Sequence, residues 1–204
     1  MTDMERKNAG LIYLFDDEEI MTLQRSYLKK MDDFNATTSD QLELRQKILK
    51  EMLGSCGENC YIEPPFHGNW GGKNLFFGDN VYANFNLTVV DDVEIIVGNN
   101  VLFAPNCTLT TANHPINPEL RRKTYQYAKK IMIKDNVWLG SNVVVLPGVT
   151  IGENSVIGAG SVVSRDIPAN VVAFGVPCKV HREITEDDKK YFDGGKIIDY
   201  ENLT

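Results

Sequence analysis

Imidazole and thiol are scarce in this chain. Only three histidines (His67, His114, His181) and four cysteines (Cys56, Cys60, Cys107, Cys178) occur in 204 residues. No CxxC pair is present, which disfavours a zinc ribbon or a disulfide framework and leaves four unlinked thiols as the expectation. Long apolar runs are missing too. No stretch approaches the roughly 18 apolar residues of a membrane span, and the start MTDMERKNAG lacks the basic-then-apolar pattern of a secretory signal. A cytoplasmic protein without a membrane partner is expected. Positive charge is also in deficit: the net charge of −7 argues against general nucleic-acid binding, which needs clustered Lys and Arg on phosphates. No G-x-G-x-x-G phosphate loop is found.

What is present is an ordinary globular composition, 43% hydrophobic and 24% charged, which excludes a disordered chain. Leu44, Ile48 and Met52 recur four apart and are flanked by Leu42, Leu49 and Leu53, so the spacing predicts a helix. Thr38 with Gln41 fits a capping box at its start, and Gly54 fits a C′ stop. A less regular helical stretch is expected from about Asn8 to Met31. Together they predict a helical cap over residues 1–56.

Beyond Leu75 the period becomes six. In IMIKDN VWLGSN VVVLPG VTIGEN SVIGAG SVVSRD the aliphatic positions Ile133, Leu139, Val145, Ile151, Ile157 and Val163 recur without a miss. Four residues after an aliphatic comes a small or apolar one: Val137, Val143, Val149, Ser155, Ser161. The same frame holds at Phe77, Ala83 and Val89, and again at Val97, Phe103 and Leu109 after a slip near Ile95 that implies a bulge. Neither a helix nor a plain strand repeats at six. A chain that bends at each sixth residue does, with Gly, Asn or Asp tolerating the bend. Three faces then close a triangular coil of about 18 residues, and the coils stack in parallel over a continuous core. About four to five coils are expected, spanning residues 57–180.

Between Leu109 and Ile131 the frame fails. The segment TANHPINPELRRKTYQYAKK is polar, with two prolines and five cationic side chains, so an extruded loop over 111–130 is predicted. His114 sits at its root. Residues 181–204 are expected to form a C-terminal helix and tail.

YANFNLTVVDD (82–92), NHPINPELR (113–121), NVWLGSNVVVLPGVTIGENSVIGAGSVV (136–163) and GVPCKVHREI (175–184), with EPPF near residue 65, resemble the hexapeptide-repeat acyltransferases of the galactoside and maltose O-acetyltransferase branch. The likeness covers nearly the whole chain. It implies an all-β-dominated left-handed parallel β-helix, with the hand taken from the resemblance and not from the spacing. It also implies a homotrimer with sites between subunits, acetyl-CoA as co-substrate, no metal, and a sugar hydroxyl as acceptor.

By that resemblance His114 is the general base, and imidazole suits the task because its neutral form accepts a proton and returns it to the departing thiolate. Asn84 stabilises the oxyanion, although an asparagine at a coil corner needs no functional reason. Asp17, Asn69, Asp92 and Trp138 contact the acceptor. Asn69 stands where branch members commonly carry Asp or Ser, followed by what looks like one extra residue, so acceptor preference is where the likeness is weakest. Ser141, Ala159, Ser164, Arg165, Lys179 and Arg182 meet CoA, with Lys179 in place of a usual Arg losing bidentate phosphate geometry. Another hydroxylated acceptor (amino acid, antibiotic, oligosaccharide) and a non-enzymatic trimeric scaffold stay open as alternatives. A metal-dependent carbonic anhydrase on the same β-helix is disfavoured because the three histidines lack a close pair.

Overall fold

The computed structural model describes residues 1–203, and three helices open it: α1 (Asp3–Asn8), α2 (Glu18–Asn35) and α3 (Leu42–Met52). The helical expectation over 8–31 is corrected, because a strand at Tyr13–Leu14 divides it and α2 runs on to Asn35. The capping box at Thr38 forms only by half. Gln41 Oε1 accepts from the Thr38 amide at 3.0 Å, whereas the Thr38 hydroxyl donates to the Asp40 carboxylate at 2.5 Å, a stronger acceptor closer by, and α3 starts only at Leu42. Gly54 is likewise no left-handed stop. Leu53 is extended, the chain passes straight into a strand, and a Cβ on Gly54 would lie 2.7 Å from the Lys73 carbonyl and the Phe76 ring. Close approach is what that glycine serves.

Three parallel sheets form the faces of a prism. The first stacks Ser55–Cys56, Leu75–Phe77, Ile95–Val97, Ile131–Ile133 and Thr150–Ile151. The second stacks Tyr61–Ile62, Tyr82–Ala83, Leu102–Phe103, Trp138–Leu139, Val156–Ile157 and Val171–Phe174. The third stacks His67–Gly68, Thr88–Val90, Thr108–Thr110, Val144–Val145 and Val162–Val163. Register partners are the repeat positions themselves: Phe77↔Val97, Ile133↔Ile151, Phe103↔Leu139↔Ile157, Leu109↔Val145↔Val163. All are buried, and Phe34 of α2 with Leu49 and Met52 of α3 joins the same core. The helices therefore close one open end of the prism.

Asparagine makes two of the three corners. Asn59, Asn80, Asn100, Asn136, Asn154 and Asn170 turn from the first face to the second, and Asn86, Asn106 and Asn142 from the second to the third, all at φ between 56° and 62°. Their amides bond down the stack: Asn59→Asn80→Asn100 at 3.1 Å each, Asn136→Asn154→Asn170 at 2.9 and 2.8 Å, and Asn86→Asn106 at 3.0 Å. Ser155 and Ser161, buried where most coils have valine, are satisfied by the Pro168 and Gly158 carbonyls.

The third corner is different. The slip near Ile95 produces no bulge, since the ladders on both sides stay in register; the extra residues enlarge the turn at Asp91–Glu94. One coil later the extruded segment leaves the same corner. It carries Ala112–Asn113, α4 (Pro118–Arg122, capped by Asn117) and Tyr125–Ala128, and its last strand pairs antiparallel with both Ala112–Asn113 and Tyr13–Leu14. The loop is thus pinned to the cap.

At the far end the expected C-terminal helix is absent among the described residues. Lys179–Glu183 turns back antiparallel onto Val171–Phe174, followed by two 3₁₀ turns and a Tyr191–Phe192/Lys196–Ile197 hairpin. The last strand leaves unpaired backbone that this strand satisfies, and Gly194 and Gly195, both at positive φ, suit a hairpin and oppose a helix. Thr204 lies outside the described residues. All four thiols are unlinked.

Candidate functional site

A cavity of about 550 Å³ opens at the third corner, between the cap and the extruded segment. His114 forms one side of it. Strand pairing of Asn113 with Tyr127 sets the backbone, and the imidazole Nδ1 lies 3.1 Å from the Tyr125 carbonyl oxygen. A carbonyl only accepts, so Nδ1 carries the proton and the neutral ring keeps its lone pair on Nε2. The Phe15 ring meets the imidazole edge-on, with centroids 5.8 Å apart.

Asp92 forms the floor, only 3% exposed. Its Oδ1 accepts from Tyr13 Oη (3.2 Å), Trp70 Nε1 (3.4 Å) and Gln126 Nε2 (2.9 Å), and its Oδ2 from Asn69 Nδ2 (3.2 Å). Gln126 also donates to the Tyr13 oxygen. Burial, and then the Asp92 charge, push the Tyr13 phenol well above its ordinary range, so it stays a donor. Lys7 is buried behind, its Nζ 4.3 Å from the Trp70 ring centroid; burial pulls its ammonium below the usual lysine range against the opposing attraction of Asp92 and Asp91.

Asp91 is fully buried and accepts from the Trp70 and Asn74 amides at 2.7 and 3.3 Å. Burial pushes its carboxyl up to about 6 despite those bonds. A carboxyl raised in the fold binds its proton more tightly there than in the unfolded chain. Its contribution is therefore complete below about pH 4 and is lost as pH rises through 6. Asp91→Asn removes that dependence, so the unfolding free energy of the variant relative to the parent should rise by about 3 kcal/mol between pH 3 and 7. Chemical denaturation at both pH values measures it, and a constant difference would refute the assignment.

The structure brings together His114, Asn69 and Asp92 and keeps the other sequence candidates apart. Asp17 caps α2, accepting from the Glu19 and Ile20 amides, and its neighbour Asp16 lines the cavity instead. Asn84 lies at the corner between the second and third faces, its own Oδ1 bound to the Phe85 amide; Ser141 and Ala159 follow at that corner on later coils. Trp138 lies apart from both corners. It stands outward from a strand of the second face, half exposed. Ser164 and Arg165 are exposed on the His114 corner, and Lys179 is exposed on the closing strand. Arg182 is engaged bidentately by Asp188 at 2.8 and 2.6 Å, which holds the Asp188 carboxyl down at about 2.

Trp70, Tyr13, Gln126, Gln24 and Phe15 escaped the sequence reading. Only Trp70, one of two tryptophans, offered a signal. A second cleft of about 510 Å³ between α2 and α3, lined by Lys30, Leu44 and Glu51 among others, holds none of the expected site residues. His67 and His181 sit on the third face and the closing strand, and among the described residues no three His, Cys, Asp or Glu side chains are grouped to hold a metal. No described helix is long and apolar enough to cross a membrane.

Residues 130–165 match the family described as bacterial transferase hexapeptide (six repeats), and residues 6–57 match the maltose acetyltransferase hexapeptide capping motif. Fold and cap together define a hexapeptide-repeat transferase. The chain is 53% identical to the galactoside O-acetyltransferase of Lactococcus lactis, covering 98% of this chain and 96% of that protein, and 52% identical to the Escherichia coli galactoside O-acetyltransferase, with 92% of each covered. Among solved structures, a galactoside acetyltransferase in complex with coenzyme A superposes with a TM-score of 0.94 at 46% identity, covering 97% of this chain and 98% of that one. A maltose O-acetyltransferase from Clostridium difficile gives 0.88 at 40% identity, covering 91% and 99%. The chain belongs to the galactoside and maltose O-acetyltransferase family of hexapeptide-repeat proteins.

Proposed function

We propose that this protein is an acetyl-CoA-dependent O-acetyltransferase acting on a sugar hydroxyl by direct attack. The observation that carries the mechanism is the fixed tautomer of His114 in a cavity whose floor is a carboxylate. Nε2 takes the acceptor hydroxyl proton as the oxygen attacks the thioester carbonyl carbon. The oxyanion collapses, the C–S bond breaks, and the imidazolium returns the proton to the CoA thiolate. The products are an acetyl ester and CoA, with no covalent enzyme intermediate. Asp92, and Asp17 or Asp16 at the head of α2, accept from sugar hydroxyls.

Asn84 donates to the oxyanion from a second copy of the chain, since within one chain it occupies a different corner from His114. Tyr82, Leu102 and Trp138, register partners down the second face, are 36%, 48% and 50% exposed, an apolar strip suited to association as a homotrimer. Trp138→Glu puts a charge on that strip, and light scattering should show a shift from trimer to monomer; an unchanged mass would place the interface elsewhere. Ser141, Ala159, Ser164, Arg165 and Lys179 are proposed to hold CoA, the last two facing its phosphates. Arg182 joins them only by sharing its fork with Asp188.

The test is release of free CoA thiol from acetyl-CoA across a panel of mono- and disaccharides, amino acids and antibiotics, together with a melting assay with CoA. Sugar-dependent release and CoA-dependent stabilisation are expected. Release with another acceptor class alone would replace the sugar, and neither signal would favour a scaffold.

A further inference from the structure

We infer that Gln24, on α2, is a positioning residue for acceptor selectivity: it fixes the Asn69 amide so that Asn69 and Asp92 present a donor beside an acceptor, a pair matched to a vicinal diol. The inference rests on the acetyl-acceptor reading of this cavity.

Gln24 Nε2 donates to both oxygens of Asn69, the backbone carbonyl at 2.9 Å and Oδ1 at 3.0 Å. With Oδ1 held, Nδ2 is turned to the other side, where it donates to Asp92 Oδ2 at 3.2 Å. One of its two protons is spent and the second is free. Asp92 Oδ1 is occupied by three donors, whereas Oδ2 receives Asn69 alone, so the carboxylate's remaining acceptor capacity lies beside the free amide proton. Gln24, Asn69 and Asp92 all line the cavity. One hydroxyl of a diol donates to Oδ2 while its neighbour accepts from Nδ2.

Nothing except Gln24 bonds to Asn69 Oδ1 among the described residues. Without that donor the amide is held only by its single bond to Asp92 Oδ2, so it swings about its side-chain torsions and no longer keeps its second N–H aimed at one place on the wall. Gln24→Leu frees the amide, and Gln24→Glu replaces its donor with a second acceptor that turns Oδ1 away. Gln24 is half-buried on the helix surface, so both variants should fold, as melting curves will verify.

The experiment measures kcat/KM for a good sugar acceptor and for the same sugar lacking one hydroxyl of the diol, with KM for acetyl-CoA as the internal control. Gln24→Leu should lower kcat/KM for the intact sugar by roughly tenfold, as expected for an unpaired polar contact, with KM for acetyl-CoA unmoved. Gln24→Glu should fall at least as far. With the sugar lacking the hydroxyl that Asn69 serves, parent and Gln24→Leu should become equal. Unchanged kcat/KM in the variants overturns the inference, and so does a tenfold gap that persists with every deoxy sugar, because Gln24 would then act on folding or on the ligand directly. Failure of the parent to acetylate any polyol overturns the underlying reading, an outcome distinct from both.

Discussion

His114→Ala should lose at least about a hundredfold in turnover while its melting temperature stays within a degree or two of the parent. The loss follows from what the ring does in the proposed reaction: it receives the proton as the carbon–oxygen bond forms, and a positioned base contributes typically 10²–10⁴-fold. Retained stability follows from the ring's surroundings. It is exposed, makes a single hydrogen bond through Nδ1, and touches Phe15 at its edge, so its removal opens no cavity and strands no buried donor. KM for acetyl-CoA should change little. Turnover within a factor of ten of the parent would remove His114 from the chemistry, and a collapse of stability would show that it holds the extruded segment in place.

Phe103→Ala should destabilise the fold by about 3–5 kcal/mol, the range for a fully buried phenylalanine. Phe103 is 1% exposed and lies in the second-face column between Ala83 and Leu139. Its ring stacks on Phe77 with centroids 6.2 Å apart and planes 16° apart. Since Ala83 is small, Phe103 fills space that the preceding coil leaves, and bonded coils on both sides restrict collapse into the gap. Urea unfolding at matched protein concentration measures the loss, the concentration being fixed because assembly adds to apparent stability. A cost below 1 kcal/mol would show that the coils slide together to fill the void.

The prism was readable in the sequence because each inward side chain is its own repeat unit: Ile133, Leu139 and Val145 mark three faces, and every later coil restates them. The extruded segment was readable as an interruption of that rhythm. What escaped is pairing between distant segments without periodicity. Tyr13 pairs with Gln126, and Asp92 gathers donors from residues 13, 69, 70 and 126, partners that no local pattern connects. The closing strand at Lys179–Glu183 was missed for the same reason. Adjacent carboxylates posed a separate difficulty: Asp16 and Asp17 are equivalent in composition, and only the helix start assigns one to the cap and the other to the cavity.

The uneven use of asparagine among the corners sets where this architecture tolerates novelty. Along two vertices corner amides are joined in short files, three residues long at Asn59–Asn80–Asn100 and Asn136–Asn154–Asn170 and two at Asn86–Asn106, so an added residue there would break a hydrogen-bonded row shared by two or three storeys. The remaining vertex has no such file, and it is there that the chain swells at Asp91–Glu94 and leaves altogether at Thr111. Grafted segments should be accepted along that unseamed edge and rejected along the other two, which makes the rim that carries His114 also the most permissive margin of the protein.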